Sequence, residues 1–78
     1  MKIYEEVLDF LTSGPTLEQI IAFELSPAAR KRARHLMQRS AHNLLTEDER
    51  EELREFQRMD YFLDRMRVRA QRRLALKE

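Results

Sequence analysis

The chain has 78 residues, 37% of them charged and 42% hydrophobic, with a net charge of +1, one Gly, two Pro and no Cys. That length allows one small domain, whose own core rarely supplies more than about 3–5 kcal/mol. The missing cysteines exclude disulfides and thiolate-bound zinc, and the balance of apolar and charged residues excludes a linker or a disordered tail. What is left to hold such a chain together is close helix packing, a second copy or a partner. No apolar run approaches the roughly 18–20 residues of a membrane span, and Met1-Lys2-Ile3-Tyr4-Glu5-Glu6 is too acidic for a signal peptide. A cytoplasmic protein with no membrane partner is therefore expected.

The charge is strongly segregated. Residues 1–25 carry five acids against one Lys, and residues 26–45 carry five basic residues and no acid. Residues 46–58 return to an acidic excess, and residues 59–78 to a basic one. Net charge thus says little about partners, while local charge leaves an acidic protein surface or a nucleic acid open.

A first helix is expected over 3–11, where Ile3, Val7, Leu8 and Leu11 fall at helical spacing. Ser13-Gly14-Pro15 closes it, with Gly14 supplying a left-handed turn and Pro15 blocking continuation. Thr16-Leu17-Glu18-Gln19 reads as a capping box for a short helix to about Phe23, whose Leu17, Ile20, Ile21 and Phe23 are assigned to the core. Ser26-Pro27, an N-cap followed by proline at the first helical position, opens a third helix reaching about Asn43. Thr46-Glu47-Asp48-Glu49 is the strongest start signal, a capping box with acids throughout the first turn.

No Gly or Pro follows Thr46, so a fourth helix runs to the C-terminus. Thirty helical residues span about 45 Å, against a diameter of roughly 30 Å for a compact chain of this length. Its C-terminal third is expected either to project or to meet another chain. The expected fold is all-α: three short-to-medium helices packed on one long C-terminal helix. Residues 1–78 form a single helical domain, with acidic N-terminal helices over 1–25 and a helical hairpin over 26–78.

On the third helix, a step of about 100° per residue gathers Ala29, Ala33, Leu36, Met37, Ser40 and Leu44 into one stripe. Around it stands a basic collar of Arg30, Lys31, Arg32, Arg34 and Arg39. Phosphate contact is one reading of the collar. A solvated amphipathic face is the other, since no aromatic residue interleaves to stack on bases. His35 and His42 lie two turns apart, about 10.5 Å along the axis, too far to share a metal ion.

On the fourth helix, Phe56, Met59, Leu63, Met66 and Ala70 form a heptad-like seam, extended by Leu53 and Leu74. Tyr61 and Val68, with Ala75 beyond, make a second apolar patch on nearly the opposite side. A helix apolar on two sides has two neighbours, and the second is expected to be another chain. Glu47–Arg50, Glu51–Arg54 and Glu55–Arg58 are favourable pairs, whereas Arg65, Arg69 and Arg73 repel at successive four-residue steps. That repulsion points to an acidic partner. The expected protein interface comprises Tyr61, Leu63, Arg65, Met66, Val68, Arg69, Ala70 and Arg73.

The chain has no Gly-rich phosphate loop, no cluster at metal-ligand spacing and no cysteine nucleophile. Ser13 and Ser26 serve a turn and a cap, and Ser40 is a small packing residue. Neither enzymatic activity nor a cofactor is expected.

From Leu25 onward the residues follow a recognisable pattern. It comprises Leu25-Ser26-Pro27, Arg32, Leu36, Leu45-Thr46-Glu47-Asp48-Glu49, Glu52-Leu53, the run Phe56 to Leu63, and Arg69-Ala70. The pattern resembles a family of short helical bacterial proteins, common in cyanobacteria and often encoded beside nuclease-like genes of the HNH type. The resemblance covers about 50 of the 78 residues, and its most specific part is Leu-Thr-x-x-Glu-x-x-Glu-Leu followed by an aromatic. Where that family has a Gly before Leu-Thr, this chain has Asn43-Leu44-Leu45, and Asn also adopts the left-handed turn.

The resemblance implies an antitoxin-like interaction module that restrains a nuclease-type partner, and the two apolar faces add a homodimer. A second reading is a small nucleic-acid-binding protein using the collar, with the short connection from Phe23 to Ser26 compatible with a helix-turn-helix. A third is a self-assembling structural subunit whose long helix pairs with its own copy.

Overall fold

The computed structural model describes residues 2–77, and among them the chain is all-helical. In chain order the helices are α1 (Lys2–Thr12), α2 (Leu17–Ala22), α3 (Pro27–Ala41) and α4 (Glu47–Lys77). Three shorter helices pack along one long C-terminal helix, and no element is long and apolar enough to cross a membrane among the described residues.

Each boundary has a local cause. After α1, Gly14 takes a φ of +73°, and the Thr12 hydroxyl donates back to the Leu8 carbonyl at 2.7 Å. Thr16 caps α2 in a full capping box: its Oγ1 accepts the Gln19 N–H at 3.1 Å, and Gln19 Oε1 accepts the Thr16 N–H at 2.9 Å. Ser26 caps α3, with Pro27 at the first helical position. Thr46 repeats the box at α4, where Oγ1 accepts the Glu49 N–H at 3.1 Å and Glu49 Oε1 accepts the Thr46 N–H at 3.0 Å.

The end of α3 falls two residues earlier than the spacing predicts. Regular helix stops at Ala41, and Asn43 adopts φ +55°. The Leu44 N–H then reaches the Arg39 carbonyl at 2.9 Å and the Asn43 N–H the Ser40 carbonyl at 3.1 Å. These two bonds are a Schellman turn, with Asn43 in the place glycine usually holds. Asn43→Val places a β-branched residue in that left-handed conformation and is expected to lower stability by about 1–2 kcal/mol. Thermal unfolding followed by circular dichroism measures it, with Asn43→Gly as a variant that keeps the wild-type melting temperature.

The core runs along one side of α4. Leu53, Phe56, Met59 and Leu63 of α4 bury against Ile3 and Val7 of α1, Leu25, and Ala29 and Leu36 of α3. The molecule measures 49 × 21 × 17 Å, so α4 spans its full length. Its C-terminal third does not project bare, because the chain turns back and lays α2 along it. Ala70 is only 3% exposed there, and the Arg67 guanidinium donates to the Phe23 carbonyl at 2.8 Å. Phe23 in turn packs on Phe10, with ring centroids 4.2 Å apart. In the last turn Leu76 is exposed.

Several positions on the expected apolar stripes lie at the surface, and the residues of α2 expected in the core are only partly covered. Leu8, Met37 and Leu44 are exposed, and Leu17, Ile20 and Ile21 are half-buried. Met37 sits about 100° around α3 from Leu36, beyond the reach of a single neighbouring helix. A six-residue α2 likewise has only α4 to bury against, so no residue of it is fully enclosed.

Candidate functional site

The outer side of α4, turned away from the three short helices, carries Tyr61, Asp64, Arg65, Val68, Arg69 and Arg72 along one shallow groove. The spacing of three and four residues places them on one face. Tyr61 is 65% exposed and Val68 43%. The Arg65 guanidinium carbon lies 5.6 Å from the Tyr61 ring centroid, and its NH1 approaches the Tyr61 hydroxyl at 3.4 Å. A cation held over an aromatic face extends the flat area that a partner can meet.

The structure divides the residues expected at this interface. Tyr61, Arg65, Val68 and Arg69 share the groove. Leu63, 2% exposed, and Ala70 are buried in the chain's own interior, and Met66 packs against the core. These three are therefore withdrawn from the docking face: the seam they form is filled by this chain's short helices. Arg73 is also displaced. It lies toward α2 with Leu17 and Leu76, and Arg72 takes the groove position, because four-residue steps turn Arg73 about 80° around the helix from Arg65 whereas Arg72 stays about 20° from it.

The basic collar of α3 is partly committed to α4. Arg32 makes a two-pronged bond to Glu52, Nε to Oε2 at 2.8 Å and NH2 to Oε1 at 2.9 Å. Arg39 donates NH2 to the Leu44 carbonyl at 2.8 Å, and its Nε stands 3.2 Å from Glu49, out of hydrogen-bond alignment. Arg30 pairs with Glu24 at 3.2 Å. Lys31 and Arg34 are exposed and form no ion pair among the described residues. Only two of the five collar residues thus remain for a phosphate backbone without breaking a contact.

These contacts set the local electrostatics. The Thr46 N–H, followed by Arg39, holds the Glu49 carboxyl below the usual carboxylate range. The Arg32 hydrogen bond lowers Glu52 and raises Arg32 itself, and the Arg54 hydrogen bond lowers Glu51. Stabilisation from such carboxylates is complete above their unfolded pKa and fades as pH falls through the lower folded values. Of the three helical pairs expected on α4, Glu51–Arg54 forms, while Arg58 turns to Glu51 at 3.7 Å and away from Glu55.

Two contacts had no counterpart in the sequence reading. Arg67 holds Asp64 at 3.0 Å as well as the Phe23 carbonyl. Its signal was its place four residues after Leu63 and three before Ala70, on the seam side of α4. Glu6 accepts both the N–H and the hydroxyl of Ser26, each at 2.8 Å, and so locks α1 to the start of α3. No group of side chains suited to hold a metal ion occurs among the described residues, and His35 and His42 both lie at the surface. No family model, curated protein or solved structure matches the chain.

Proposed function

We propose that this chain is a non-enzymatic protein-interaction module that binds and restrains a protein partner, in the manner of an antitoxin acting on a nuclease-type protein. The observation that supports it is the outer face of α4, where Tyr61 and Val68 stand exposed among Arg65, Arg69 and Arg72. Tyrosine and arginine are the residue types that dominate interface energetics, and the basic edges complement an acidic partner surface. In this reading the hairpin of α3 and α4 is the rigid body, tied by Arg32–Glu52 and Arg39–Glu49, and the protein works in the cytoplasm.

The test is binding of a purified HNH-type nuclease by titration calorimetry, comparing wild type with Tyr61→Ala/Val68→Asp. The double variant is expected to lose at least about tenfold in affinity, with helicity retained. Undiminished binding would remove this face from the function. Tight binding of a random DNA duplex with a steep salt dependence would instead favour the nucleic-acid reading, with Lys31 and Arg34 as its free cations.

A further inference from the structure

A second groove lies on another side of the molecule, where α1 meets α4. Tyr4, Leu8 and Leu11 stand in a row on α1, Phe62 faces them from α4, and Val7, Arg58 and Met59 complete the lining. Leu8 is 58% exposed and Phe62 48%, and none of the described residues closes over them. Helical spacing groups Leu8 with Ile3, Val7 and Leu11, and Phe62 stands within the run Phe56 to Leu63.

The two rims of this groove are opposite in sign. On α1, a step of about 100° per residue places Glu5 and Asp9 beside Leu8, on the edge away from α4. On α4, Arg58 lines the groove, and Arg65 and Arg69, which also border the outer groove, continue that edge one and two turns beyond Phe62, while the acids of the same edge, Glu55 and Glu51, lie two and three turns before it. Arg58 has only a 3.7 Å approach to Glu51, and Arg69 makes no ion pair among the described residues.

We propose that a second copy of this chain occupies the groove and forms a two-fold dimer. A two-fold axis running along the groove lays the acidic rim of each copy on the basic rim of the other, while the two apolar rows meet between them. A partner of one charge sign would satisfy one rim and oppose the other. A second copy matches both. Self-pairing also supplies what a core of ten buried apolar side chains among the described residues lacks, further apolar surface removed from water. This dimer uses α1 and Phe62 and shares only the Arg65–Arg69 edge with the Tyr61–Val68 patch, so Leu8→Asp and Tyr61→Ala/Val68→Asp test the two surfaces separately.

Sedimentation velocity and light scattering, from low micromolar to near-millimolar protein, test it, with circular dichroism as the check on folding. Wild type is expected to be a dimer, and Leu8→Asp to weaken association at least about tenfold. Glu5→Arg/Asp9→Arg is expected to weaken it similarly, and adding Arg58→Glu/Arg69→Glu to that variant to restore it. If Leu8→Asp fails to fold, the charge exchange decides. A monomeric wild type overturns the proposal, as does a dimer that survives both variants or fails to recover on the full exchange. A dimer lost only in Tyr61→Ala/Val68→Asp places self-pairing on the outer face of α4 and also overturns it. The Leu8→Asp variant is expected to keep its affinity for a nuclease-type partner, which separates the two readings.

Discussion

Leu36→Ala is expected to cost about 2–5 kcal/mol and to leave the chain at best marginally stable at room temperature. Leu36 has no exposed surface and sits where α3 meets the seam of α4. Truncating a leucine in such a place loses its transfer free energy and leaves a cavity that helices held at both ends fill poorly. A domain of this length has a margin of only about 3–5 kcal/mol from its core, so one residue removes most of it. Urea unfolding measures the loss. Met37→Ala, one position further along the same helix, changes stability by less than about 0.5 kcal/mol because Met37 is already in water. Equal costs at the two positions would mean that α3 is docked through a different face.

Glu6→Ala is the next largest, at about 1.5–3 kcal/mol. Its carboxylate accepts two hydrogen bonds from Ser26, and bonds to a charged group contribute more than neutral ones. Ser26 Oγ also accepts the Ala29 N–H at 3.2 Å, so the cap of α3 is itself held in place from α1. Glu6→Gln keeps an acceptor for the Ser26 N–H and is expected to fall between wild type and Glu6→Ala in urea unfolding. A Glu6→Ala variant as stable as wild type would show that Ser26 caps α3 without help.

Both effects concern residues whose roles differ in how far the sequence discloses them. Leu36 was legible as core from its spacing with Ala29 and Ala33. Glu6 was not, since its partner lies 20 residues away and no local pattern announces it. The candidate face shows the same division. Tyr61, Val68, Arg65 and Arg69 share a side of α4 by helical geometry alone, and the structure keeps them together at the surface. Leu63 and Ala70 share a side as well, but which chain covers that side is not a property of the helix that carries them.

The elements and their ends are fixed locally. Capping boxes at Thr16 and Thr46, the Ser26-Pro27 start and the left-handed Asn43 all close through bonds between residues no more than five apart, so composition within a turn or two decides them. The all-helical class followed from the same signals. Tertiary structure alone decided the direction in which the chain returns after α1. That return lays α2 on the far end of α4 through an Arg67–Phe23 contact spanning 44 residues. It also opens the groove between α1 and α4 that leaves Leu8 in water. Such contacts depend on how two helices meet, which is set by the summed packing of many side chains and not by any residue's neighbours in the chain.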